Sequence, residues 1–148
     1  MSLSDEFLEW QSQLPLEITS DALWHCAAYK LGLFVADRAW PDLGRLASDP
    51  RSRHMADQLG RSLGSISANY AEAFSRNSIP DRCRLYEYSL GSARESRDRA
   101  FKARHIIGEA RVREQIELLT RIIKLVTVTV IRERKRVKGK KRHPPSDE

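Results

Sequence analysis

Residues that end secondary structure are rare in this sequence, and this rarity constrains the fold more than any other feature. Prolines stand only at positions 15, 41, 50, 80, 144 and 145, and the chain has no Asn-Gly pair of the kind that joins two strands in a hairpin. The stretches between the prolines are long and uninterrupted. We therefore predict an all-α fold.

Capping residues divide these stretches into four predicted helices, at about residues 20–40, 50–77, 80–107 and from 109 onward. Asp49 precedes Pro50, which suits the first position of a helix. Ser78 and Asp81 have the spacing of a capping box, and Gly108 is a suitable left-handed stop.

The fourth predicted helix carries a regular apolar stripe. Its members recur every three or four residues: Val112, Ile116, Leu119, Ile123, Val126 and Val130. The β-branched run at 127–131 favours a strand by propensity alone. Because the stripe continues through this run without a turn, we predict a helix there.

Length and composition predict one domain in a reducing compartment. The 148 residues are 41% hydrophobic, enough for one core. Two cysteines can supply neither a disulfide framework nor a four-thiolate zinc site. The start of the chain is acidic, unlike a secretory signal, and charges interrupt its most apolar stretch. We expect a cytoplasmic protein without a membrane span.

We divide the chain into three segments by charge and pattern. Residues 1–18 form an acidic N-terminal extension, residues 19–137 the bundle, and residues 138–148 a basic to polar tail that we expect to be disordered.

The second predicted helix has two rows that indicate packing on more than one side. One row is bulky: Met55, Leu59, Leu63, Ile66, Tyr70 and Phe74. The other is small: Gly60, Gly64, Ala68 and Ala71. Glycine inside a helix costs about 1 kcal/mol relative to alanine, so two of them indicate close approach of another backbone. Self-association is the simplest use of this surface.

A third row on this helix is polar and has two interpretations. It comprises Arg61, Ser65, Asn69, Glu72 and Arg76, spaced so that each can reach the next. The first interpretation is a hydrogen-bonded ladder at the surface or in an interface. The second is a catalytic or ligand pocket on Asn69 and Glu72. We favour the ladder, because no second carboxylate or histidine stands at a motif spacing.

The second and third predicted helices together resemble the bacterial four-helix-bundle proteins associated with intervening sequences in 23S rRNA genes. The shared positions are Gln58, Arg61, Ser65, Ile66, Asn69, Ala71, Glu72, Arg76, Gly91, Ser92 and Glu95. The sequence departs from the family pattern at Gly60, Ser62 and Ala73. The resemblance implies an up-and-down antiparallel four-helix bundle that assembles as a homopentamer without catalysis. It also implies kinship with the accessory (Avd-type) proteins of diversity-generating retroelements, which work with a reverse transcriptase and its RNA.

The positive charge is concentrated near the C-terminus. Residues 132–143 contain eight Lys/Arg and one Glu, a local charge of +7, whereas the whole chain has +6 and the rest therefore −1. Such a segment can neutralise phosphates without reading bases. The candidate nucleic-acid-binding residues are Arg132, Arg134, Lys135, Arg136, Lys138, Lys140, Lys141 and Arg142. The alternative is a tail that only increases solubility.

No pattern typical of an enzyme, a metal site or a cofactor site stands out. The histidines and cysteines are scattered, and the sequence lacks a P-loop. Its Gly-x-Ser-x-Gly match at residues 60–64 lies inside the second predicted helix, whereas a nucleophile elbow needs a strand-to-helix turn. We expect a non-catalytic homo-oligomer that binds RNA or DNA, as an accessory subunit of a reverse transcriptase or another nucleoprotein complex. The alternatives are a protein-interaction scaffold without a nucleic-acid role and, as an outsider, a small hydrolase that uses Glu72.

Overall fold

The computed structural model describes the backbone of residues 1–142 and the side chains of residues 1–140. This part of the chain is helical and contains no strand, which confirms the all-α prediction. The helices are α1 (Leu3–Ser12), α2 (Leu16–Thr19), a 3-10 helix (Ala22–His25), α3 (Ala27–Arg38), α4 (Trp40–Ser48), α5 (Arg53–Ser75), α6 (Ile79–Lys102), α7 (Arg104–Ile107) and α8 (Glu109–Arg142).

The structure divides the chain into more helices than the four predicted. The first predicted helix is split into the 3-10 helix and α3, and a further helix, α4, begins at Trp40. Pro41 opens α4, because a proline in the first turn of a helix loses no intrahelical hydrogen bond. The third predicted helix also divides at Ala103, between α6 and α7.

Hydroxyl groups join α5 to the small-residue face of α6. The Ser89 hydroxyl donates to the Ile66 carbonyl at 2.7 Å, and the Ser96 and Ser62 hydroxyls are 2.9 Å apart. The residue number falls along α5 as it rises along α6, so the two helices are antiparallel. Ala93 between these serines is fully buried. Small side chains therefore bring the two helices into close contact.

Contacts between α6 and α8 have the same antiparallel order. Arg97 donates to the Thr120 hydroxyl at 3.2 Å, and Arg82 donates to Glu133 at 3.4 Å. α3 packs against both α5 and α8. These four helices therefore surround a common core, as expected for a helical bundle.

The apolar stripe of α8 forms one wall of that core. Val112, Leu119, Val126 and Val130 are almost completely buried. The β-branched run is helical, as predicted, and the Thr127 hydroxyl donates to the Ile123 carbonyl one turn earlier at 2.6 Å. Burial of the stripe therefore overrides the strand propensity of the run.

α3 approaches α5 closely at Gly32, a residue that the sequence analysis did not select. A Cβ at Gly32 would stand 3.2 Å from Ile66 Cγ2 and 3.4 Å from Ser67 Cβ. By contrast, a Cβ at Gly64 would meet no heavy atom within 4 Å, and one at Gly60 would meet only Leu43. The small row of α5 thus does not face α6, because this row points away from the bundle.

The acidic N-terminal extension packs against the bundle through α1. Arg38 on α3 is buried and pairs with both Glu6 and Glu114. The Trp10 indole N–H donates to Asp37 at 2.6 Å. α1 therefore belongs to the packed structure rather than to a separate segment.

α8 continues to Arg142, five residues into the segment that we expected to be disordered. Gly139 is the only weak helix former in that part, and its cost of about 1 kcal/mol does not end the helix. Cationic side chains near a helix C-terminus are also favourable. The rest of the predicted tail, residues 143–148, lies outside the described residues.

Substitution of Gly32 by valine should destabilise the fold. The new side chain would force α3 and α5 apart, and overpacking of this kind lowers the free energy of unfolding by about 1–3 kcal/mol. Urea denaturation at constant protein concentration measures the change. Gly44→Ala on α4, where a new Cβ would meet no heavy atom within 4 Å, is the matched control and should be neutral or stabilising by up to about 1 kcal/mol. A Gly32→Val protein as stable as the wild type would contradict this assignment of the contact.

Gln115 offers a stabilising substitution. Its side chain is 2% exposed, and neither amide atom has a hydrogen-bond partner within residues 1–140. Gln115→Met keeps the shape and removes two buried polar groups, so the free energy of unfolding should rise by about 1–3 kcal/mol. Gln115→Glu, the control, should lower it because it buries a charge. Loss of stability in the methionine variant would show that the amide is hydrogen-bonded in solution.

Candidate nucleic-acid interface

The C-terminal half of α8 concentrates positive charge on one rigid element. Residues 118–140 contain eight Lys/Arg and a single acid, Glu133. The apolar stripe turns toward the core, so the charged positions between its members project from the bundle. One continuous helix therefore fixes the spacing of these cations.

Glu133 does not offset this charge at the surface. Its side chain is only 3% exposed and accepts hydrogen bonds from Arg82 at 3.4 Å and Arg136 at 3.1 Å. A buried carboxylate requires such partners, because desolvation of an unpaired charge is costly. The one acid in this part of α8 is thus enclosed by arginines.

Two of the predicted nucleic-acid-binding residues are held in ion pairs. Arg134 Nε donates to Glu87 on α6 at 2.8 Å, and Arg136 pairs with Glu133. The hydrogen bond to Glu87 raises the pKa of the Arg134 guanidinium, which stays cationic. Arg134 thus attaches α8 to α6, and Arg136 neutralises the buried Glu133 of α8. Less of the charge of these two arginines is therefore available to a ligand.

The other predicted cations divide into two groups. Arg132, Lys135, Lys138 and Lys140 are exposed and form no ion pair with another residue of 1–140. Lys141 and Arg142 end α8, but their side chains lie outside the described residues.

Arg121 and Lys124 extend the basic surface toward the middle of the bundle, and the sequence analysis missed them. Both are exposed, and at 100° per residue they share one side of α8 with three of the predicted cations. We define the basic face as these five residues: Arg121, Lys124, Arg132, Lys135 and Lys138. Helical periodicity could have identified the first two, but counting charge along the chain could not.

Two aliphatic side chains lie on the same side of α8, between the cations. Val128 is 57% exposed and Ile131 is 45% exposed. The basic face therefore has an apolar centre with cations toward each end.

The nine residues of the α5–α6 motif are all at least partly exposed: Gln58, Arg61, Ser65, Asn69, Glu72, Arg76, Gly91, Ser92 and Glu95. Gln58 and Glu95 line one surface pocket between the two helices. The predicted ladder bonds mainly to its own backbone. Asn69 donates to the Ser65 carbonyl at 2.9 Å, and the Ser65 hydroxyl donates to the Arg61 carbonyl at 2.8 Å.

Glu72, the residue of the catalytic interpretation, lies at the surface. Its carboxylate is exposed and accepts a hydrogen bond from Arg76 at 2.6 Å. Burial, followed by the nearby Glu87 carboxylate, raises the pKa of the Cys83 thiol, so this sulfur stays protonated at neutral pH.

The described part of the chain holds no group of three His, Cys, Asp or Glu side chains that could bind a metal ion. None of its helices combines the length and apolar character needed to cross a membrane.

Comparison with known proteins confirms the resemblance seen in the sequence. Residues 35–128, more than half of the chain, match the family model described as 23S rRNA-intervening sequence protein. A crystal structure of a protein of unknown function from the S23 ribosomal protein family of Bacteroides thetaiotaomicron superposes with a TM-score of 0.66 and 23% identity, covering 70% of this chain and 98% of that one. The search of curated proteins gives no match. This chain therefore belongs to the 23S rRNA-intervening sequence protein family.

Proposed function

We propose that this protein is a non-catalytic, self-associating helical bundle that binds nucleic acid through the basic face and the C-terminal end of α8. One observation carries the proposal: residues 118–140 hold eight Lys/Arg, and their single acid is buried. A solubilising tail does not require its cations to be aligned on a rigid helix that packs along the bundle.

Phosphate contacts would supply most of the affinity. Each lysine or arginine that neutralises a phosphate releases condensed counterions, so affinity falls steeply with salt. The basic face has no Asn or Gln side chain of the kind that reads adenine. Binding of this type positions the protein along a polyanion with little sequence preference.

Self-association would use the outward row of α5 and the groove beside it. This groove lies between α3, α4 and α5. Most of its lining is apolar or small, with Leu33, Ala36, Trp40, Gly60 and Gly64 among these residues, and Asp37, Asp57 and Arg61 add charge. Trp40 is 75% exposed. Large exposed aromatic side chains and small residues on adjacent helices are typical of a surface that another helix covers.

The number of subunits and the identity of any protein partner rest on the family resemblance. We propose a homopentamer, which would bring five basic faces onto one particle and increase affinity through avidity. The role as an accessory subunit of a reverse transcriptase or another nucleoprotein complex is part of the same proposal. The alternative, a protein-interaction scaffold, is favoured by the groove but leaves the basic face without a use.

Assembly should be lost when a charged side chain replaces Gly64. By light scattering after size exclusion, the wild type should have a mass of roughly 85 kDa, five times the 17.0 kDa chain. Gly64→Glu should retain its helix content, because glutamate is a better helix former than glycine, but should lose the oligomer because assembly would bury the carboxylate.

Ala110→Glu is the control for the assembly experiment, since Ala110 is exposed in the first turn of α8. It should assemble like the wild type. A wild-type mass of 17 kDa would overturn self-association, and an intact Gly64→Glu oligomer would exclude this face as the interface.

Removal of the unpaired cations near the end of α8 should make nucleic-acid binding less dependent on salt. The triple variant R132Q/K135Q/K138Q eliminates about three phosphate contacts. The slope of log affinity against log salt should therefore become shallower by about 3. Fluorescence anisotropy with a labelled oligonucleotide, repeated over a range of salt concentrations, measures this slope.

A matched variant separates local contacts from net charge. R53Q/R94Q/K102Q removes the same charge from exposed positions on α5 and α6 and should retain the wild-type slope. An equal reduction in both variants would show that net charge alone drives binding. Absence of binding by the wild type at low salt would favour the scaffold.

A further inference from the structure

We infer that the basic face of α8 docks across the major groove of double-stranded DNA, with its cations on the phosphate backbones on either side. This inference rests on the proposed nucleic-acid function and specifies the form of nucleic acid that the same surface recognises. Three features support it: the spacing of the cations, the rigidity of α8 and the absence of aromatic side chains from this face.

The cations of the basic face form two groups. Arg121 and Lys124 lie on one side of the exposed Val128 and Ile131, and the other three cations lie on the far side. Lys124 and Arg132 are eight residues apart, which is about 12 Å along a helix axis. The major groove of B-form DNA is also about 12 Å wide. The two groups can therefore reach phosphates on opposite edges of one groove.

The two aliphatic side chains suit the space between those edges. Between its two backbones a major groove presents base edges and thymine methyl groups rather than phosphates. Val128 and Ile131 would lie over the opening of the groove while the flanking cations hold the backbones. An exposed valine and isoleucine within a basic surface would otherwise remain in water.

The rigidity of α8 favours a stiff ligand. The helix runs from Glu109 to Arg142 without interruption, and the basic face covers 18 residues of it, about 25 Å from the first to the last. A duplex already presents its phosphates in a regular order. A single strand would have to lose conformational entropy to align along the helix.

The side chains on this face also disfavour single strands and RNA duplexes. Single-stranded nucleic acid usually binds by stacking its bases on aromatic rings. The exposed large aromatic residues within 1–140 are Trp40, Tyr88 and Phe101, and they lie on α4 and α6. The major groove of A-form RNA is too deep and narrow for side chains to read.

Arg121 and Lys124 provide the test, because they lie far from the C-terminal cations. Fluorescence anisotropy would compare a labelled 20-base-pair DNA duplex, each of its single strands and an RNA duplex of the same sequence. The DNA duplex should bind most tightly. R121Q/K124Q should make its salt slope shallower by about 2. R53Q/R94Q removes the same charge elsewhere and should leave the slope unchanged.

The outcomes separate this inference from the proposed function. If a single strand or the RNA duplex binds as tightly as the DNA duplex, major-groove docking is overturned while nucleic-acid binding stands. An unchanged slope in R121Q/K124Q also overturns the docking, since the C-terminal cations would then account for all contacts. If no nucleic acid binds at low salt, both are overturned.

Discussion

The close packing of α6 against both α5 and α8 is the constraint on which the rest of the structure depends. Ser89, Ala93, Ser96 and Ala100 on α6 are completely buried, and their small size lets neighbouring helices approach. The hydroxyls of Ser89 and Ser96 form hydrogen bonds with groups on α5, so the buried polar atoms of this close contact have partners. With α6 fixed in this way, α8 can bury one stripe along the bundle and present its cations outward.

Helical periodicity was sufficient to predict most of the fold. The stripe of α8 outweighed the strand propensity of residues 127–131, because burial contributes more than local preference. The direction of a small-residue row was harder to predict. The rows of α5 and α6 look alike in sequence, yet Ser96 contacts a neighbour whereas Gly64 faces outward. Gly32 forms a row with Ala28 and Ala36 at intervals of four on α3, so helical spacing could have indicated this contact as well.

The candidate site could be predicted only as a concentration of charge. The count along residues 132–143 located the basic segment but could not show that Glu87 and Glu133 would engage Arg134 and Arg136. The Arg134–Glu87 pair comes from tertiary packing, at a separation of 47 residues. Glu133 and Arg136 are three residues apart on α8, so helical spacing could have indicated that pair. The turn of the helix places Arg121 on the same side of α8 as the C-terminal cations, although the uncharged residues 125–131 lie between them in sequence.

Paired and unpaired cations on α8 have different consequences for the molecule. Arg134 joins α8 to α6, and Arg136 helps to satisfy Glu133, whose burial would be unfavourable without it. These pairs hold the end of α8 in place and remove its only nearby acid from the surface. Lys135 and Lys138 are exposed and form no ion pair within residues 1–140, so they remain available to phosphate. A helix fixed by some of its arginines can thus present its other cations at a constant spacing, which a flexible tail of the same composition could not do.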